Sequence, residues 1–213
     1  MKKINNLILK KTIFYLLPFL ITVLFSFHET YSASLLDVSE EDYFIGDTNA
    51  TVTIIEYASI SCGHCADFHI NTLPKLIEKY VDTGKVKIVF RDFPFNFPAL
   101  MGSMVLRCVD HDIRYQYSTA LYKLQSKWVL RENKESKKEL YKIMQSGGMT
   151  KEEFNQCIED IDLEKTILQG VMNAQNEFNI KSTPSFIING ILLEGNKPIK
   201  DFRQIINKIL SEQ

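Results

Sequence analysis

The chain is poor in cysteine, glycine, proline and tryptophan: 4, 9, 6 and 1 among 213 residues. Four cysteines are too few for a small domain held together by disulfides alone. No internal repeat and no low-complexity tract is present, which excludes solenoids and biased tails. Beyond the first dozen residues no run of Lys or Arg occurs, so nucleic acid and anionic membrane are poor partners. A hydrophobic content of 45% is that of a globular protein rather than a disordered one. No cofactor-binding fingerprint and no set of metal-ligand spacings is evident.

The N-terminus is different from the rest. Lys2, Lys3, Lys10 and Lys11 precede an apolar run from Ile13 to Phe27, which is short for a membrane-spanning helix. Small residues Thr30, Ser32, Ala33 and Ser34 follow. Positive, then apolar, then small is the order of a secretory signal peptide, with cleavage expected after Ser32; an uncleaved anchor is the alternative. Either way residues 33–213 are expected outside the cytoplasm. Residues 1–32 carry four Lys and one Glu, so the 25 basic and 26 acidic side chains of the whole become 21 and 25. Some 181 residues remain, enough for one domain bearing an insertion.

Residues 51–58, β-branched and aromatic, predict a buried strand, and 62–80 carry helical spacing that Pro74 should kink. A turn at Asp82-Thr83-Gly84 leads to a second strand over 85–91. Two strands flanking one helix form a right-handed βαβ unit with parallel strands. From 98 to about 178 the pattern is helical throughout. Met101, Met104, Val105 and Cys108 share one face by spacing, as do Phe154, Cys157, Ile158 and Ile161. Thr150 with Glu153 reads as a capping box, and Gly147-Gly148 as the stop of the helix before it. Asn189-Gly190 between the apolar runs 185–188 and 191–194 predicts a hairpin, and 200–210 a closing amphipathic helix. The fold class is α/β: β-α-β, an all-helical insertion, then β-β-α.

The chemistry gathers at Cys62-Gly63-His64-Cys65, where the first strand gives way to the first helix. A thiolate is the reactive form of cysteine, and a helix N-terminus favours it, so Cys62 gains most, with His64 adding positive charge. Two intervening residues let the sulfurs meet within one turn and cycle between dithiol and disulfide. A zinc site would need a second ligand pair, and c-type haem a His where Ala66 stands. A purely structural bridge across so short a loop would restrain little chain. Glu56, six residues upstream in an apolar strand, needs a partner or a task there, and proton exchange with Cys65 is one such task; a solvated edge position is the alternative. Thr183-Pro184 opens a strand, where a proline's missing donor does least harm. A cis bond there would bring the Thr183 backbone opposite the sulfurs, open to an extended peptide.

Taken together, a strand leading to Cys-x-x-Cys, the upstream Glu56, the helical insertion and Thr183-Pro184 before a hairpin resemble the DsbA family of periplasmic thiol–disulfide oxidoreductases. The resemblance spans essentially the whole of 33–213. It implies a thioredoxin fold with an inserted helical subdomain, a nucleophilic and strongly acidic Cys62, its partner Cys65 and a cis Pro184. It also implies unfolded exported proteins with free thiols as substrates and a quinone-linked membrane protein as reoxidant. Gly63-His64 is more like the eukaryotic isomerases, and Thr183 more like bacterial isomerases and reductases, so an isomerase or reductase is the second reading and a non-catalytic peptide-binding module the third. About 18 residues between Ser32 and Thr51 leave no room for the dimerisation domain of bacterial isomerases, and a monomer is expected. Cys108 and Cys157, each on an apolar helical face in an oxidising compartment, are expected to form a structural disulfide; two separate buried thiols are the alternative.

Overall fold

The computed structural model describes residues 36–39 and 42–212. The chain divides between Val38 and Ser39 into two compact units, and every element below belongs to the second. The expected signal segment and its cleavage point lie outside the described residues.

Strands β1 (Tyr43–Ile45), β2 (Val52–Ala58) and β3 (Val86–Asp92) come first, with helix α1, residues 63–81, between β2 and β3. The insertion follows as α2 (Phe97–Arg107), α3 (His111–Lys123), α4 (Gln125–Trp128), α5 (Asn133–Ser146), α6 (Lys151–Ile158) and α7 (Ile161–Phe178). Strands β4 (Ser185–Ile188) and β5 (Ile191–Glu194) and helix α8 (Ile199–Ser211) close the chain. The sheet runs in the order β1-β3-β2-β4-β5. Only β2 and β3 are parallel, as their connection through α1 requires; the other pairs are antiparallel. This is the thioredoxin fold expected, with the insertion set between β3 and β4.

Strand β2 is central, and this explains its composition: Val52, Ile54, Ile55, Glu56 and Tyr57 are all buried. Its Val52 and Ile54 join Phe68, Leu73 and Leu76 of α1 and Phe202 and Ile206 of α8 in one core cluster. Its other face meets α7, where the rings of Tyr57 and Phe178 lie 6.4 Å apart. A second cluster belongs to the insertion and reaches the end of the sheet through Ile60, Cys65 and Ala66. The redox motif therefore sits on the seam between two cores.

Local chemistry follows the sequence closely at several points. Asn189 and Gly190 both take positive φ, 43° and 87°, as the tight hairpin turn needs. Thr150 and Glu153 form the reciprocal capping box at the start of α6. Around Pro74, which has no N–H to donate, α1 widens into π-helical turns at Phe68–Thr72 and Ile77–Val81.

Two expectations need correction. Ile161 does not share a face with Phe154 and Cys157: the helix breaks before it, and Ile161, opening α7, is 64% exposed. Cys108 is not turned into the core either; it caps the C-terminus of α2 in an exposed position, while Cys157 is buried. The short β1 was not anticipated, because three residues are too few to display a period.

Candidate active site

Cys62 is the N-cap of α1, its backbone still extended (φ −81°, ψ 123°), and its carbonyl accepts the first helical hydrogen bond from Ala66 at 3.0 Å. The loop that delivers it from β2 is fixed from three sides. Cys62 N–H donates to Ser59 O at 2.9 Å. The Ser61 hydroxyl donates to Asn96 Oδ1 at 3.3 Å, and Asn96 also caps α2 by accepting from Ala99 N at 2.9 Å. From the insertion, Gln125 Nε2 donates to both Ile60 O (2.8 Å) and Cys62 O (3.0 Å).

The pair is a dithiol: Cys62 is half-buried and Cys65 fully buried. Their thiols are driven in opposite directions. A hydrogen bond from Cys65 does most to stabilise the Cys62 thiolate; burial opposes it, and Thr183 with the backbone N–H groups of Cys65 and His64 adds to it, so the Cys62 pKa falls from 9.0 to about 5. Burial pushes the Cys65 thiol far above its usual range, and its bond to Cys62 and the charge of Glu56 push it further. His64 acts here through its backbone. Its exposed side chain interacts with the charge of Asp67, and the helix N-terminus brings its own positive end to Cys62. Gly63 is exposed, and a Cβ there would meet nothing within 4 Å.

The Thr183–Pro184 peptide is cis and lies across the sulfurs, with Cys62 Sγ donating to Thr183 O at 3.4 Å. The Thr183 hydroxyl is buried without a hydrogen bond of good geometry, yet beside both sulfurs it favours their ionised forms. Below them Glu56 is completely buried and is not the solvated edge carboxylate that strand alternation allowed. Its two oxygens accept from His69 Nε2 at 3.2 and 3.0 Å. Cys108 and Cys157 are bonded to each other, with Cα atoms 6.3 Å apart, in the insertion. Among the described residues no cluster of His, Cys, Asp or Glu could hold a metal ion.

Comparisons with known proteins point the same way. A family profile described as Thioredoxin matches residues 38–208. A Rickettsia felis protein, provisionally named a protein-disulfide oxidoreductase, is 30% identical over 177 residues, covering 83% of this chain. The chain spans 63% of that relative's own length. Disulfide bond formation protein D of Bacillus subtilis is 23% identical over 78% of this chain and 76% of its own. The crystal structure of Wolbachia pipientis alpha-DsbA1 superposes with a TM-score of 0.79 at 30% identity, covering 85% of this chain and 96% of that one.

The chain belongs to the DsbA family. In this DsbA-like chain the insertion supplies more than bulk, since Gln125 reaches the redox loop directly. Sequence reasoning missed Gln125, because nothing near it in the chain points to a contact 63 positions away. It missed His69 as well, although a clue was available: His69 follows Cys65 by four positions, on the same helical face, beside an otherwise apolar stripe.

Proposed function

We propose that the protein introduces disulfide bonds into exported proteins. One observation carries this reading: two thiols a single turn apart are biased in opposite directions, the outer one towards thiolate and the inner one towards thiol. In the oxidised state a substrate thiolate attacks Cys62 Sγ. The new bond forms there, the 62–65 bond breaks, and its electron pair passes to Cys65, which takes up a proton. A second substrate thiolate then attacks its own sulfur in the mixed disulfide and expels Cys62, a good leaving group because its thiolate is stabilised. Glu56, buried close enough to act on Cys65, is its proton partner.

The backbone of Thr183 and Pro184 holds an extended substrate beside Cys62 as an added strand would be held. The disulfide between Cys108 and Cys157 is structural. The site of action is the periplasm, reached by way of the signal segment 1–32. There the protein works as a monomer and is reoxidised by a membrane protein of the quinone-linked kind. Among the described residues no helix is long and apolar enough to cross a membrane.

Cys65→Ser tests the mechanism. Removing the resolving thiol should leave Cys62 covalently bonded to exported proteins, in adducts released by reductant and absent from Cys62→Ser. Cells that yield no such adducts would exclude an exchange mechanism. Thr183, which is more like the residue before this proline in bacterial isomerases and reductases, lends support to net isomerase or reductase action as a second reading. Equilibration of the pair against glutathione separates the two: an oxidase stays largely reduced in a buffer that leaves ordinary structural disulfides oxidised only if its dithiol is unusually stable.

A further inference from the structure

Glu56 can exchange a proton with Cys65 only if it can exchange one with solvent, and it has no exposed surface of its own. His69 is positioned to make that second connection. Its Nε2 is committed to the two Glu56 oxygens, at 3.0 and 3.2 Å. Its Nδ1 is buried and without a partner, an expensive state for a ring nitrogen with no task. The ring is 4% exposed and lines a partly open cleft of about 70 Å³ whose wall also includes Ser118, Tyr122, Arg91 and Arg107. A polar cleft of that size has room for more than one water. Glu56, His69 and the cleft thus form a continuous path from the core to the surface.

We propose that His69 relays protons between solvent in this cleft and Glu56, and through Glu56 to the Cys65 sulfur. The inference rests on Glu56 being the proton partner of Cys65. When the 62–65 bond breaks, its electron pair goes to Cys65 Sγ, which takes the proton held by Glu56. Glu56 is reprotonated from His69 Nε2, and the ring recovers a proton at Nδ1 from the cleft. Reoxidation of the pair runs the same transfers backwards, with the proton leaving by the path through which it entered. His69 touches neither sulfur nor substrate. It is a positioning and relay residue acting through Glu56.

The groups around it leave this path distinguishable. Arg91 is paired with Asp42 and Arg107 with Asp92, and Arg114 lies over Tyr43. Tyr122, its ring 4.2 Å from that of His69, is pushed well above its ordinary value by burial, and burial likewise pushes Tyr43 up to about 12. Neither phenol therefore changes charge between pH 5 and 9. A second imidazole, His111, stands edge-on to Tyr43 at 4.9 Å and supplies the control.

The test is the rate at which a small dithiol reduces the 62–65 disulfide, followed by Trp128 fluorescence across pH 5 to 9 and divided by the dithiol's own thiolate fraction. His69→Gln keeps an N–H for Glu56 but cannot carry a proton through. It should fold normally and react about tenfold more slowly, with the pH dependence flattened. His69→Ala should be slower still and be restored by added imidazole, a response that a purely structural role would not give. His111→Gln should match the unaltered protein. If Glu56→Gln slows the reaction while both His69 variants keep the unaltered pH profile, the relay is wrong and Glu56 stands. If Glu56→Gln changes nothing, the role of Glu56 falls and the relay falls with it. Should His69→Ala fail to fold, His69→Gln alone decides.

Discussion

Cys62 and Cys65 lie within one helical turn, yet only one of them is charged at neutral pH. The helix start and the bond from Cys65 stabilise charge on the first sulfur; burial and Glu56 forbid it on the second. The consequence can be measured. Above about pH 5 the reduced pair holds Cys62 as thiolate, so reduction takes up one proton for two electrons rather than two. The potential should fall by about 30 mV per pH unit between pH 5 and 9 and by about 59 mV below it. A slope near 59 mV carried through neutrality would mean that the thiolate is absent. The sign for stability follows from the same depressed value. The ionised Cys62 stabilises the folded dithiol fully above its unfolded value of 9.0, and the gain is lost as pH falls through about 5. The oxidised form, having no thiol to ionise there, should not show that trend.

Elements were legible wherever a local pattern repeats. Both long strands, the hairpin at Asn189-Gly190, the capping box and the closing helix follow from period and turn chemistry visible along the chain. The failures share one cause. Ile161 continued a helical spacing across the break before α7, where Asp160 caps a new helix by accepting from Asp162 N and Leu163 N. Cys108 likewise satisfied the spacing while already one residue past the end of α2. Periodicity reports which residues could share a face, not where the helix carrying that face stops. The bridge between α2 and α6 nonetheless joins two helices 49 positions apart. By the chain-entropy argument a loop of that length restrains the unfolded chain by about 4 kcal/mol. The double change Cys108→Ala, Cys157→Ala should therefore lower the denaturation midpoint substantially while leaving the exchange rate at Cys62 nearly unaltered. An equal loss of exchange activity would place this bridge in the catalytic machinery instead.

For the whole molecule, the site combines pieces from distant parts of the chain, and only some carried a local signal. Cys62, Cys65, Glu56 and Thr183-Pro184 stood out because each breaks a rule of its own segment: thiols at a helix start, a carboxylate in a buried strand, a proline opening another. Gln125 breaks no rule. A polar residue after Leu124 in a helical stretch is unremarkable until the insertion folds back over the sheet and brings Nε2 to 2.8 Å from Ile60 O and 3.0 Å from Cys62 O. Ile60 O lies in the loop between strand and helix, where no ladder or helical partner serves it, so without Gln125 it depends on less favourable partners, while Cys62 O keeps its bond from Ala66 N. This contact makes the insertion a support for the redox loop rather than an appendage. Gln125→Ala should cost about 1–2 kcal/mol of global stability, since two modest hydrogen bonds are lost. Its larger effect should be local. Amide hydrogen exchange at Cys62 to Ala66 should accelerate by more than the global loss accounts for, because the start of α1 would open without the whole domain unfolding. Exchange there that merely tracks global stability would show that the loop holds its shape unaided, leaving the insertion to serve the site only through its packing against Ile60 and Cys65.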